Sequence, residues 1–162
     1  MAENIEFAGD FRLDNIVIHN HDDTQAVDIK RLVVEFNLYE NMFAGAMSGS
    51  LVIADSTGLI SKLPVQGTER LTFKLSTPGS KLKIDCTEES GHPMHVFAVS
   101  DKQQSSDGQE VYIIRFASRE FLRNIRTRVS QAYSGRMDQM VASILGDENY
   151  PDSRKTLNIQ KT

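Results

Sequence analysis

Between residues 11 and 117 apolar side chains recur at every second position, in short runs broken by turn-forming residues. Only a strand puts alternate side chains on one face, so this stretch is committed to sheet with one dry and one wet side. The runs cover 11–19, 25–39, 47–55, 69–76, 81–89, 95–102 and 110–117, which predicts seven strands. A polar turn from Asn20 to Thr24, a Pro78-Gly79 turn and an Asp107-Gly108 turn separate neighbours closely enough for antiparallel pairing. Such a series predicts an antiparallel barrel or sandwich. With 162 residues, 40% of them hydrophobic, the chain has material for one core.

The run 25–39 contains a change of phase. Val27 and Ile29 are apolar at odd positions, whereas Leu32, Val34, Phe36 and Leu38 are apolar at even ones. A strand changes face only through an extra residue, so a bulge or bend is expected near Lys30 and Arg31. A long strand that bends is frequent where a sheet closes into a barrel. Leu59, Ile60 and Leu63 have helical spacing and are stopped by Pro64, which predicts a short helix over 57–63.

Beyond Ala117 the period lengthens. Ser118 is placed to cap a helix running to Arg126, with Phe121, Leu122 and Ile125 on one face. Arg119, Arg123 and Arg126 occupy the other face. An extended piece over 129–133, a helix over 137–145 ended by Gly146, and a strand-like alternation over 155–162 complete the chain. The predicted organisation is a mainly β antiparallel barrel over 1–128, including the helix 118–126. A C-terminal helical extension over 129–162 follows, a candidate for the start of a second domain.

The formal net charge of −4 is unevenly spread: residues 1–110 carry nine Lys/Arg against seventeen Asp/Glu, and residues 111–162 carry nine against five. This polarity fits head-to-tail contact between copies, contact with a polyanion, or neutralisation of one region by the other within a monomer. No apolar run reaches the roughly 18 residues of a membrane span. The start, MAENIEFAGDF, has neither a basic nor an apolar segment of a secretory signal, so synthesis inside the cell is expected. A single cysteine, Cys86, excludes an intrachain disulfide and a cage of several thiolates.

Candidate chemistry is sparse. His19 and His21 precede Asp22 and Asp23, and His92 and His95 flank Pro93. Neither pair has a third ligand nearby in sequence, so solvated turn residues are expected in place of a metal site. Cys86 shares an apolar face with Leu82 and Ile84, as a buried small hydrophobe would. Asp85, Glu88 and Glu89 lie close together without the convergence that paired catalytic carboxylates need. No nucleophile elbow, phosphate-binding loop or dinucleotide fingerprint occurs, so neither an enzyme nor a bound cofactor is expected. The strongest polar signal is Arg115, Arg119, Arg123, Arg126, Arg128 and Arg136. These could contact phosphates, meet an acidic neighbour, or form an ordinary exposed helix face. The stacked aromatics of a single-strand binder are missing, since aromatic content is 7%.

The middle of the chain is more specific. Glu40-Asn-Met-Phe-Ala44 leads to Ser48-Gly-Ser-Leu-Val-Ile-Ala-Asp55, then Ser56-Thr-Gly-Leu59, then Leu63-Pro-Val-Gln-Gly67-Thr-Glu-Arg-Leu71. This ordered series resembles the N-terminal domain of baseplate hub proteins from contractile-tailed bacteriophages. The later Ile114-Arg-Phe-Ala-Ser118, the arginine-rich helix and Arg128-Val-Ser-Gln-Ala-Tyr133 look like the same family, so the resemblance spans about residues 25–145.

The resemblance implies a tail-tube-like β-barrel, related to tube and spike proteins of type VI secretion. It implies a virion structural protein of the tail baseplate, made in the host cytoplasm. Such a protein would join the tail tube to the central spike in a homo-oligomeric ring, trimeric or hexameric, with DNA passing through the lumen without sequence-specific binding. The loop 40–49 and the turn 55–63 match regions that make inter-subunit contacts in such barrels. Met42, Phe43, Met47 and Leu59 would be apolar interface residues, and Arg119, Arg123 and Arg126 would face a neighbour or the lumen. Hub proteins usually carry a second barrel and further domains, whereas this chain stops at Thr162. A fragment, a minimal relative and a single-barrel tube protein all fit that difference. The competing expectation is a nucleic-acid-binding β-barrel module that uses the same arginines.

Overall fold

The computed structural model of the chain describes residues 11–63, 65–78, 83–105, 108–128, 130–150, 152–155 and 157–159. Eight strands pair into one antiparallel sheet: β1 Arg12–His19, β2 Ala26–Asp28, β3 Val33–Tyr39, β4 Ser48–Asp55, β5 Arg70–Ser76, β6 Lys83–Cys86, β7 Met94–Gln104 and β8 Glu110–Ala117. Three short helices accompany them: α1 Leu59–Lys62, α2 Arg119–Arg126 and α3 Met137–Gly146. The strand order is β2-β1-β5-β7-β8-β4-β3, with β6 on β5 beside β7. Among the described residues no helix is long and apolar enough to cross a membrane.

The run expected to be one bent strand is two. Residues 29–32 form a turn, with the Leu32 amide donating to the Ile29 carbonyl over 2.8 Å. Ile29 is fully buried and Leu32 packs against the core, so the phase change seen in the sequence is a corner that turns both side chains inward. A bulge does occur, but further along. The β3–β4 register slips between Val33 and Glu35, leaving Val34 as the extra residue and 68% exposed. Val34 therefore faces water, contrary to the even-position pattern, while Val33, Phe36 and Leu38 pack against the core.

The corner joins the two ends of the strand order. The Ile29 amide donates to the Ile16 carbonyl beside β2, and the Ala54 amide donates to the Leu32 carbonyl beside β3, both over 2.8 Å. Four residues thus carry the chain from one edge of the sheet to the other, although β2 and β3 do not pair. The sheet is strongly curled. Phe36 on β3 and Phe73 on β5 lie four strand steps apart in the order, about 19 Å on a flat sheet. Their ring centroids are 5.1 Å apart, edge to face, and each also approaches Phe116 on β8 at 6.0 and 5.9 Å.

Alternation holds where it predicts the core. On β4 Gly49, Leu51, Ile53 and Asp55 point inward, and on β8 Tyr112, Ile114 and Phe116 do so. The Gly49 position is sterically forced. A Cβ there would collide with the Phe116 ring, 2.7 Å from Cε2, and with the Asn37 carbonyl. The curl leaves room for a large ring on β8 only because its neighbour has no side chain. Cys86 is 2% exposed within this core, as its apolar face predicts. Burial, with the nearby Asp85 charge, pushes its thiol up to about 12.

The predicted elements after 117 fall at α2 and α3, with two differences of detail. Ser118 sits at the N-cap of α2, but its hydroxyl makes no capping bond; it accepts instead from the Met47 amide at 3.3 Å. Gly146 is the last residue of α3 and not a left-handed stop beyond it. Of the alternating run 155–162, residues 155 and 157–159 are described and lie in no strand, and the rest fall outside the described residues.

Candidate functional site: one rim of the sheet

One row of paired residues crosses seven strands. Ala26 pairs with His19, His19 with Arg70, Arg70 with His95, His95 with Ala117, Ala117 with Ser48, and Ser48 with Tyr39. This row is one end of the sheet, and the candidate interface residues gather beyond it. The loop 40–47 leaves from Tyr39 and returns at Ser48, while α2 starts directly after Ala117. Ser118 ties the two together: its amide donates to the Met47 carbonyl at 2.9 Å and its hydroxyl receives the Met47 amide.

The four apolar candidates divide. Met42 and Phe43 project from the loop tip, each 90% exposed. The tip is braced by the Asn41 side chain, which accepts from the Phe43 amide at 2.9 Å. Met47 packs against the core, and Leu59 belongs to it with 2% exposure, so neither offers appreciable apolar surface to a neighbour.

Leu59 is buried because of the turn before it. Asp55, 3% exposed, accepts from the Thr57 amide (2.8 Å), the Thr57 hydroxyl (3.0 Å), the Leu59 amide (2.6 Å) and the Tyr112 hydroxyl (3.1 Å). Burial pushes its carboxyl upward, yet these four donors outweigh that and hold it below its ordinary value. Gly58 takes the left-handed conformation, φ 71°, that lets the chain enter α1. Glu69 works in the same way. Its buried carboxylate accepts from the amides of Gln66 (2.6 Å), Gly67 (2.8 Å) and Thr68 (3.1 Å), around a left-handed Gly67. The Asp-x-x-Gly-Leu and Gly-x-Glu pieces of the sequence are thus turn devices, whose carboxylates satisfy backbone donors and, at Asp55, the Thr57 and Tyr112 hydroxyls as well.

The three arginines also divide. Arg119 donates to the Asp152 carboxylate at 2.6 Å and Arg123 reaches the same oxygen at 3.1 Å. Arg154 joins them at 3.3 Å. Arg123 further donates to the Glu148 and Tyr150 carbonyls at 3.2 and 3.4 Å. These contacts strap residues 148–150 and 152–155 of the same chain onto α2. Beneath the strap, Ser153 donates to Glu120 at 2.9 Å, and Lys155 approaches the same carboxylate oxygen at 3.1 Å. Burial opposes ionisation of Glu120, but backbone and serine donors and the Lys155 charge hold its carboxyl below the usual value. Arg126, in contrast, is exposed at the helix end, next to Ile125 at 70% exposure.

Arg119, Arg123 and Arg126 were expected on a face opposite Phe121, Leu122 and Ile125. The helix instead buries Glu120 and leaves Ile125 outside. Phe121 stacks on Phe97 of β7 with centroids 5.6 Å apart. Two cavities flank α2. One, about 460 Å³, lies between the 84–95 segment and the strap; the other, about 730 Å³, opens between the β5 and β7 ends of the row and α2.

His95 lines both cavities. Burial, reinforced by the Arg119 and Arg70 charges, pushes its imidazole below the ordinary value, so it is a neutral ring at pH 7. His19 meets the Thr72 hydroxyl at 3.1 Å, and Arg70 pairs with Asp23 and with Glu88 (2.6 Å). Among the described residues no three His, Cys, Asp or Glu side chains converge as metal ligands would.

Asp152, Ser153 and Asn41 carried no signal in the sequence reading, and Asp55 and Glu69 appeared there only as letters of a motif. The chain matches no protein-family model. It matches no curated protein sequence.

Proposed function

We propose that this chain is a structural subunit of a phage-type contractile tail. In this reading it belongs to the baseplate hub, in a ring that joins the tail tube to the central spike and lines the DNA channel. The observation that carries the reading is the pair Met42 and Phe43, each 90% exposed on a braced loop at one rim of a curled antiparallel sheet. Two large apolar side chains held out in water are costly in a monomer and ordinary at an interface.

Other features support the same reading. The corner at 29–32 links the two edges of the strand order, which favours reading the curled sheet as a tail-tube-like barrel. Among the described residues the outer edges of β6 and of the distal half of β7 have no strand beside them, and a ring would cover such edges. No catalytic role is assigned, and the carboxylates of Asp55 and Glu69 are spent on turns.

The test is negative-stain imaging of the purified chain at low and moderate salt, combined with a DNA-binding titration. Rings with a central hole and weak, sequence-independent DNA contact are expected. A nucleic-acid-binding module is the competing reading, because Arg126 is exposed at the end of α2. It predicts a monomer that binds DNA tightly with a steep salt dependence.

A further inference from the structure

We propose that the loop tip of one copy docks in the α2 groove of the next copy: Met42 and Phe43 seat on Phe97, Leu122 and Ile125, and Glu40 meets Arg126. This rests on the reading of the chain as an assembling subunit and names the surface that receives the loop.

Three observations bring loop and groove together. The first is shape. The loop presents two apolar side chains, each 90% exposed, so they are not seated on their own chain. The groove of about 730 Å³ has an apolar wall of Phe97, Leu122 and Ile125, with Ile125 70% exposed and the Phe97 ring held in place by Phe121. Each surface is an exposed apolar liability that the other would cover.

The second is charge. Residues 35–47 carry Glu35 and Glu40 and no Lys or Arg. Three arginines and one carboxylate, Glu148, line the groove. Arg70 and Arg123 already hold partners within the chain, which leaves exposed Arg126 at the rim as the cation for Glu40.

The third is placement. Loop and groove lie beyond the same row of paired residues, the loop at Tyr39 and Ser48 and the groove at His95 and Arg70. β3 and β7 are three strand steps apart in the order, about 14 Å when followed along the sheet. A contact between them moves the next copy sideways along the rim and not end to end. Two different patches meet, so the contact is heterologous, and repetition closes into a ring when the rotation allows.

Sedimentation of the full chain, alone and in mixtures, tests this. Phe43→Asp should weaken assembly roughly thirtyfold or more, the scale of a lost aromatic anchor, and Ile125→Asp should do the same. Both side chains are exposed, so unchanged circular dichroism is expected for each variant. An equimolar mixture of the two leaves one intact loop facing one intact groove and should give a dimer and nothing larger. Glu40→Arg should impair assembly, and combining it with Arg126→Glu should restore it. If the wild type assembles and Phe43→Asp assembles equally well, or the mixture gives no dimer, the proposal is overturned while the ring reading stands. A wild-type chain that stays monomeric at every concentration overturns the ring reading itself.

Discussion

Tyr112 and Asp55 meet inside the sheet, the phenol donating to the carboxylate over 3.1 Å across 57 positions of sequence. The pair binds the β8 interior to the turn that starts α1, and Asp55 also receives the Thr57 and Leu59 amides. Removing the carboxylate leaves several buried donors without an acceptor. Asp55→Ala is expected to lower stability by about 1–3 kcal/mol in urea unfolding.

The same carboxylate gives a pH dependence. Its folded value lies below its unfolded one, so its stabilisation is complete above the ordinary carboxylate range and is lost as pH falls through the folded value. Asp55→Asn should therefore be less stable than the wild type at pH 7 and lose less on acidification below about pH 5. Unfolding midpoints of both proteins across that range check the sign.

His95 titrates the opposite way from an ion-paired histidine. Burial and the Arg119 and Arg70 charges lower its value, so the unfolded chain binds the proton more readily. Its contribution to stability is present above the unfolded value of about 6.5 and falls away as pH drops from there toward the folded value. A histidine NMR titration of the folded protein should place the His95 midpoint below that of an ordinary imidazole.

Gly49 lies under the Phe116 ring. Gly49→Ala forces both that ring and the β3 backbone at Asn37 to move and is expected to cost about 1–3 kcal/mol as overpacking. The double variant Gly49→Ala with Phe116→Leu should recover part of the loss, measured by thermal unfolding.

The strap over α2 depends on one carboxylate. Asp152 lies under Arg119, Arg123 and Arg154, and the Arg119 hydrogen bond, with the three guanidinium charges, holds its carboxyl below the ordinary value. Asp152→Ala should raise the rate of limited proteolysis within 147–155 severalfold while leaving the sheet's unfolding midpoint nearly unchanged.

Much of the sheet could be read in the sequence because alternation records which face is dry. Leu51, Ile53, Phe73 and Ile114 are buried where that pattern puts them. The phase change before residue 32 marked the corner, but Val34 was misjudged. A bulge lets two consecutive residues face water, and no local pattern distinguishes that from ordinary alternation. The helix α2 misled for a different reason. One oxygen of its buried Glu120 is held by Ser153 and Lys155, 33 and 35 positions away, and such a long-range partner leaves no trace in helical spacing. Likewise Arg119 and Arg123 were legible as a cationic face, whereas Asp152 as their partner was not. The exposed Met42 and Phe43 stood among the candidates, but sequence gave them no priority over Leu59.

The mass of the purified chain in solution, measured by light scattering over a concentration series, tests the central claim most directly. A discrete oligomer of a few copies that dissociates on dilution and is lost in Phe43→Asp is the predicted result. A monomer at every concentration, with Met42 and Phe43 freely solvated, would contradict it.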